Sequence, residues 1–110
     1  MPALTPAVFH VLLALAQGER HGYGIQKDVA EQTGGDVRLG PGTLYGTLQR
    51  LMELDWVEET DGPAIPEDER RRYYRLTRAG RRALKGEVDR MDTLVRTARA
   101  HRVVPRQSDR

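Results

Sequence analysis

The chain has 110 residues, of which 38% are hydrophobic, 31% charged and 5% aromatic; that is enough for one domain, with an apolar share low enough to predict support from a partner subunit. Cysteine is absent and the lone serine is Ser108, which excludes disulfides, thiolate metal sites and a cysteine or serine nucleophile on a rigid element. The net charge of +2 hides an asymmetry: residues 1–55 hold four basic and six acidic side chains, residues 56–110 fourteen and ten.

Thr5-Pro6 is a helix start, with Thr as N-cap and Pro at the first helical position. The residues that follow are apolar nearly all round through Ala16, which predicts burial on more than one side, and Gly18 ends the run. No Lys or Arg precedes Arg20, so the positive n-region expected of a secretory leader is missing. The run is also shorter than the roughly 20 residues a membrane span needs. The expectation is a soluble, cytoplasmic protein with no membrane contact.

A second helix is predicted from His21 to Gln32, with Tyr23, Ile25, Val29 and Ala30 as its apolar positions, closed by Gly34-Gly35. His21 packs or caps at its start. Val37-Arg38-Leu39 reads as a short extended piece. Gly40-Pro41 then opens a third helix running to about Leu54. At about 100° per residue, Leu44, Leu48 and Leu51 share a narrow arc, flanked by Met52 and Leu54. The opposite arc collects Gly42, Thr43, Gly46, Gln49, Arg50 and Glu53, with Tyr45 at the boundary. Such a face of small and hydrogen-bonding side chains can approach another surface closely.

Trp56 to Thr60 and Arg70 to Leu76 read as two strands of a hairpin, joined by an acidic loop containing Pro63 and Pro66. Trp56 anchors the hairpin to the core. Thr77 caps a last helix reaching about Arg102, whose Leu84, Val88, Met91, Leu94, Val95 and Ala98 form a continuous apolar stripe. Gly80 and Gly86 weaken that helix by about 1 kcal/mol each relative to Ala. The order helix, helix, short strand, helix, hairpin, helix predicts a mainly α fold with a small β-hairpin: a winged helix-turn-helix over residues 1–76, a C-terminal dimerisation helix over 77–104 and a disordered tail over 105–110. His10, His21 and His101 lack metal-ligand spacing, and neither a metal nor a cofactor is expected.

His21-Gly22-Tyr23-Gly24-Ile25, Pro41-Gly42-Thr43-Leu44-Tyr45 with Leu48, Leu51 and Leu54, and Arg71-Arg72-Tyr73-Tyr74-Arg75-Leu76-Thr77 followed by Gly80 and Leu84 occur here in fixed order and spacing. Together they resemble the PadR family of transcriptional regulators over residues 5 to 100, in its small subgroup with a single C-terminal helix. Two departures stand out: Gly40 occupies a position where relatives often carry a capping side chain, and the wing loop is long and acidic.

The resemblance implies that the third helix enters the major groove, which is about 12 Å wide. Tyr45, Gln49 and Arg50 would reach DNA, Thr43 would lie near a phosphate, and Gly42 and Gly46 would permit close approach. Arg70, Arg71, Arg72 and Arg75 would be wing arginines on phosphates or in the minor groove; internal pairing with Glu67, Asp68 and Glu69 is the other reading. Sixteen of the 18 cations are Arg, which suits phosphate and base contacts, although a GC-rich coding sequence gives the same bias. Tyr23 and Lys27 would grip backbone phosphates, or else be a core tyrosine and a plain surface lysine.

For assembly, the resemblance implies a homodimer through the first and last helices, with Phe9, Leu12, Leu13, Leu84, Val88, Met91, Leu94, Val95 and Ala98 in the seam. It also implies a roughly palindromic operator on double-stranded DNA, and repression released by a small-molecule effector. Phe9, Leu12 and Leu13 would line an effector pocket with Met91 and Val95, or simply pack the core. The alternative function is a winged-helix module that docks on protein, favoured by Asp28, Glu31, Glu53 and Asp55 on or near the reading unit.

Overall fold

In the computed structural model, which describes residues 4–62 and 72–102, the local start signals act where the sequence places them. The Thr5 side chain accepts the Val8 N–H at 3.2 Å and opens α1 (Pro6–Leu15). His21 Nδ1 accepts the Gly24 N–H at 3.1 Å and opens α2 (Gly22–Gln32). Thr77 Oγ1 accepts the Gly80 N–H at 3.0 Å and opens α4 (Arg78–Ala100). Each satisfies an amide that the helix itself leaves unbonded. Between them, α3 (Pro41–Glu53) begins behind Gly40 with no side-chain cap.

The hairpin consists of β2 (Val57–Thr60) and β3 (Tyr73–Leu76), antiparallel with Val57 opposite Leu76 and Thr60 opposite Tyr73. The third strand differs from expectation. It is β1 (Arg20–His21), which pairs with Tyr74 and Tyr73 to give the order β1-β3-β2. Residues 37–39 form no strand. Thr33 Oγ1 takes the Val37 N–H at 3.0 Å, and Gln26 Nε2 donates to the Leu39 carbonyl at 2.7 Å, so side chains satisfy this backbone as a turn. Residues 63–69 of the predicted wing loop, with Arg70 and Arg71, and the predicted tail lie outside the described residues.

The core gathers Val11, Leu12, Ala14 and Leu15 of α1, Ile25 and Val29 of α2, and Leu44, Leu48 and Leu51 of α3, closed by Val57, Tyr74 and Leu84. The nearly all-apolar α1 is thus wrapped by α2, α3, the sheet and α4. Leu12 and Leu84, expected in the seam, are buried within their own chain, at 0% and 7% exposure.

Gly80 also corrects the sequence reading. A Cβ there would lie 1.9 Å from the Trp56 carbonyl oxygen, so the first turn of α4 rests on the backbone entering β2. What reads as a helix weakness is the condition for that contact. Gly86 has nothing within 4 Å of a built Cβ and remains a plain weak position.

Past its first turns α4 leaves the head. Gly80, Leu84 and Glu87 are buried; beyond them Val88, Leu94 and Val95 are exposed, Leu94 by 53%. The molecule is correspondingly elongated, 53 × 28 × 24 Å. Among the described residues no helix is long and apolar enough to cross a membrane.

Candidate nucleic-acid interface

The face of α3 is built by its own period. Leu44, Leu48 and Leu51 are fully buried, which turns Thr43, Tyr45, Gly46, Gln49 and Arg50 outward, and all five are exposed. Arg50 also lies in the last turn, where a cation suits the helix dipole. The uncapped first turn leaves amide donors at the other end of the same face.

Gly42 and Gly46 have open space around a built Cβ, so nothing inside the chain requires glycine there. Gly46, in the helix interior, costs about 1 kcal/mol relative to Ala. Gly46→Ala should therefore raise the unfolding midpoint by several degrees while weakening duplex binding, because the added methyl meets only what approaches from outside. Thermal melts and duplex titrations on the same sample check this; a gain in both stability and affinity would mean that α3 does not approach DNA closely.

Tyr45 does more than mark the boundary of this face. It is 50% exposed, yet its hydroxyl lies over Gly22, where a Cβ would come within 2.4 Å of it. The phenol thus leans from α3 across the start of α2. Tyr23 is 68% exposed, which removes the core alternative, and its ring stacks on His21 at 6.3 Å. His21 in turn forms a T-shaped pair with Tyr73, ring centroids 5.3 Å apart. Lys27 is exposed one turn along from Tyr23. The structure so brings Tyr23, Tyr45 and the α2 start together beside the polar face of α3. The double role of His21, as cap and as ring platform, shows in sequence only as a polar residue before a helical period.

The wing cations are partly engaged. While Glu67, Asp68 and Glu69 lie outside the described residues, Arg75 Nε bonds Glu58 Oε1 at 2.6 Å, directly across the strands. Both side chains are largely exposed, so this pair contributes about 0–1 kcal/mol and can exchange for a phosphate. Arg72 is exposed; burial, with help from nearby Glu59, pushes the Tyr74 phenol above its usual pKa. On the head, Arg20 Nε neutralises Asp28 at 3.1 Å. The acidic count of the N-terminal half therefore overstates the negative charge presented near α3.

Of the remaining seam residues, Phe9, Leu13, Met91 and Ala98 are half-buried, and Val88, Leu94 and Val95 are exposed. Among the described residues no three His, Asp or Glu side chains gather as a metal site.

The family model described as the transcriptional regulator PadR-like family matches residues 11–86. Transcriptional regulator Rv3488 of Mycobacterium tuberculosis is 35% identical over 92 residues, covering 79% of this chain and 77% of that one. An uncharacterized 37.1 kDa protein in a transposon of Streptomyces fradiae is 44% identical over 84 residues, 76% of this chain. The chain spans 22% of that protein's length, and 64% of the length of a further relative, protein X of Lysinibacillus sphaericus, 28% identical over 71 residues.

Among solved structures, a PadR family regulator from Clostridium difficile superposes with a TM-score of 0.72 at 21% identity, covering 88% of this chain and 98% of that one. Bordetella bronchiseptica BpsR, described with regulation of its DNA binding by 6-hydroxynicotinic acid, gives 0.66 at 25% identity, covering 88% and 67%. Bacillus subtilis PadR in complex with operator DNA gives 0.60 at 21% identity, covering 74% and 45%.

Proposed function

The chain belongs to the PadR-like family of transcriptional regulators, and from that membership we propose that it binds double-stranded DNA sequence-specifically as a homodimer, with α3 in the major groove. The observation that carries the reading is the division of α3: a fully buried leucine stripe opposes an exposed face of Thr43, Gly46, Gln49 and Arg50. Arg suits guanine edges and Gln adenine edges, while Thr43 and the uncapped amides suit a phosphate. Tyr23, Lys27 and Tyr45 flank this face as hydroxyl and ammonium donors to the backbone. Arg72 and Arg75, with Arg70 and Arg71, serve the wing.

The exposed half of the α4 stripe, together with Phe9 and Leu13, forms the seam with a second copy. The two α3 helices then meet half-sites about 34 Å apart, one helical turn, on a roughly palindromic operator. Repression is the sign of regulation that we propose, released by a small ligand acting at the α1–α4 seam. The neighbouring BpsR, described with regulation of its DNA binding by 6-hydroxynicotinic acid, supports control by a small ligand.

Fluorescence anisotropy with the duplex upstream of its own gene, against a scrambled duplex at several salt concentrations, tests the reading. Tight, sequence-selective binding that falls steeply with salt is expected. Equal weak binding to both duplexes would favour a module that docks on protein. Arg50→Ala should weaken specific binding by about 1–3 kcal/mol with the dimer intact; unchanged affinity would remove α3 as the reader.

A further inference from the structure

The turn that ends α3 and the junction that begins α4 meet at one side chain. Past its last residue α3 closes with two bonds: the Asp55 N–H to the Met52 carbonyl at 3.0 Å, and the Trp56 N–H to the Leu51 carbonyl at 2.9 Å. Such a turn needs a left-handed residue just after the cap, most often glycine. Here Asp55 takes the place, with φ at +62°, a conformation that aspartate tolerates better than most residues. Its carbonyl lies against Thr77, whose Oγ1 donates to it at 2.5 Å. The same oxygen accepts the Gly80 N–H at 3.0 Å and so caps α4. The Thr77 N–H bonds the Trp56 carbonyl, and the Thr77 carbonyl takes the Arg81 N–H, both at 3.0 Å. Every polar group of Thr77 is thus engaged. Its hydroxyl receives from α4 and gives to the turn after α3.

We propose that Thr77 is a positioning residue that fixes the angle between the reading helix α3 and the α4 arm. Direct packing contributes little to that angle. α3 lies on α1, α2 and β2, and α4 on α1 and β3; apart from the shared neighbour α1, the two helices are joined mainly through residues 54–56 and 77–80. Burial of the leucine stripe is roughly proportional to area and has no direction of its own, whereas hydrogen bonds weaken steeply once bent. Capping alone does not call for a hydroxyl here. Asp caps at least as well as Thr, yet a carboxylate has no proton to give the Asp55 carbonyl.

Leverage makes the angle matter. The 13 residues of α3 run about 20 Å at 1.5 Å per residue. A tilt of about 10° at the Thr77 end moves the first turn of α3 by about 3–4 Å, close to one base-pair step of about 3.4 Å. In the dimeric reading above, on which this consequence rests, the same tilt changes the separation of the two α3 helices over their half-sites.

The chain has no cysteine, so Thr43→Cys in the first turn of α3 and Thr93→Cys on the arm, both exposed, take a pair of spin labels. Diluted into unlabelled chain, the pair reads the α3-to-arm distance within one chain by pulsed dipolar spectroscopy. A narrow distribution is expected for the Thr77 protein and for Thr77→Ser, which keeps the hydroxyl. Thr77→Asp should broaden it about twofold while exchange of the Gly80 amide stays slow, because the cap is kept. Thr77→Val should show the same breadth together with fast exchange at Gly80. A Thr77 that only caps α4 would leave Thr77→Asp with the parent width, and that result overturns the proposal. If Thr77→Val fails to fold, Thr77→Ser against Thr77→Asp carries the comparison. Thr43→Cys alone, undiluted, reads the distance between the two α3 helices of a dimer and should broaden with Thr77→Asp in the same way. Absence of a dipolar signal from that single label would remove the dimeric reading and leave the result within one chain standing.

Discussion

Gly80→Ala is expected to unfold much of the protein at temperatures where the parent chain is stable. The methyl would sit 1.9 Å from the Trp56 carbonyl oxygen and 2.8 Å from its carbonyl carbon. These are backbone atoms, which no rotamer change can move aside. The Trp56 carbonyl also accepts the Thr77 N–H at 3.0 Å, so displacing it loosens the α4 cap as well. Ordinary overpacking costs about 1–3 kcal/mol; a clash with backbone at a helix–strand junction belongs at or above the top of that range. The intrinsic gain of about 1 kcal/mol from replacing a helical glycine does not offset it. Urea melts of the two proteins check this, and an unchanged or raised midpoint would show that α4 does not start against Trp56.

Leu94→Asp is expected to leave the head folded and convert the proposed dimer to monomers. Leu94 is 53% exposed in the single chain, so the substitution removes little packing from the fold. In the proposed seam the same aspartate would be buried on both copies without a partner. An uncompensated buried charge costs several kcal/mol per ion, against a seam made of one helical stripe and the edge of α1. Light scattering at micromolar concentration should give the mass of one chain. Duplex affinity should fall together with it, by a factor of about 10²–10⁴, because the second half-site is no longer held in place. A variant that remains dimeric would place the seam elsewhere.

These two positions also show where sequence reasoning stops. The stripe containing Leu84 and Leu94 is legible as a period of 3.6, and so is the polar face of α3, because both repeat within a few turns of one helix. Thr5 and Thr77 are legible as caps for the same reason: the hydroxyl and the amide it satisfies lie three residues apart. The winged helix followed from those local signals and their order.

Which part of a stripe is covered, and by what, was decided by the tertiary structure. Leu12 and Leu84 vanish into the core while Leu94 stays outside, although all three look alike along the chain. β1 has two residues and no period of its own; it exists because β3, more than 50 residues away, has an edge to pair. Gly80 meets Trp56 only once α4 is laid against the head. Helix starts and amphipathic faces are set by bonds and sterics among near neighbours, which the sequence holds within itself. Burial depends on what arrives from elsewhere in the chain, and that is fixed only when the elements pack.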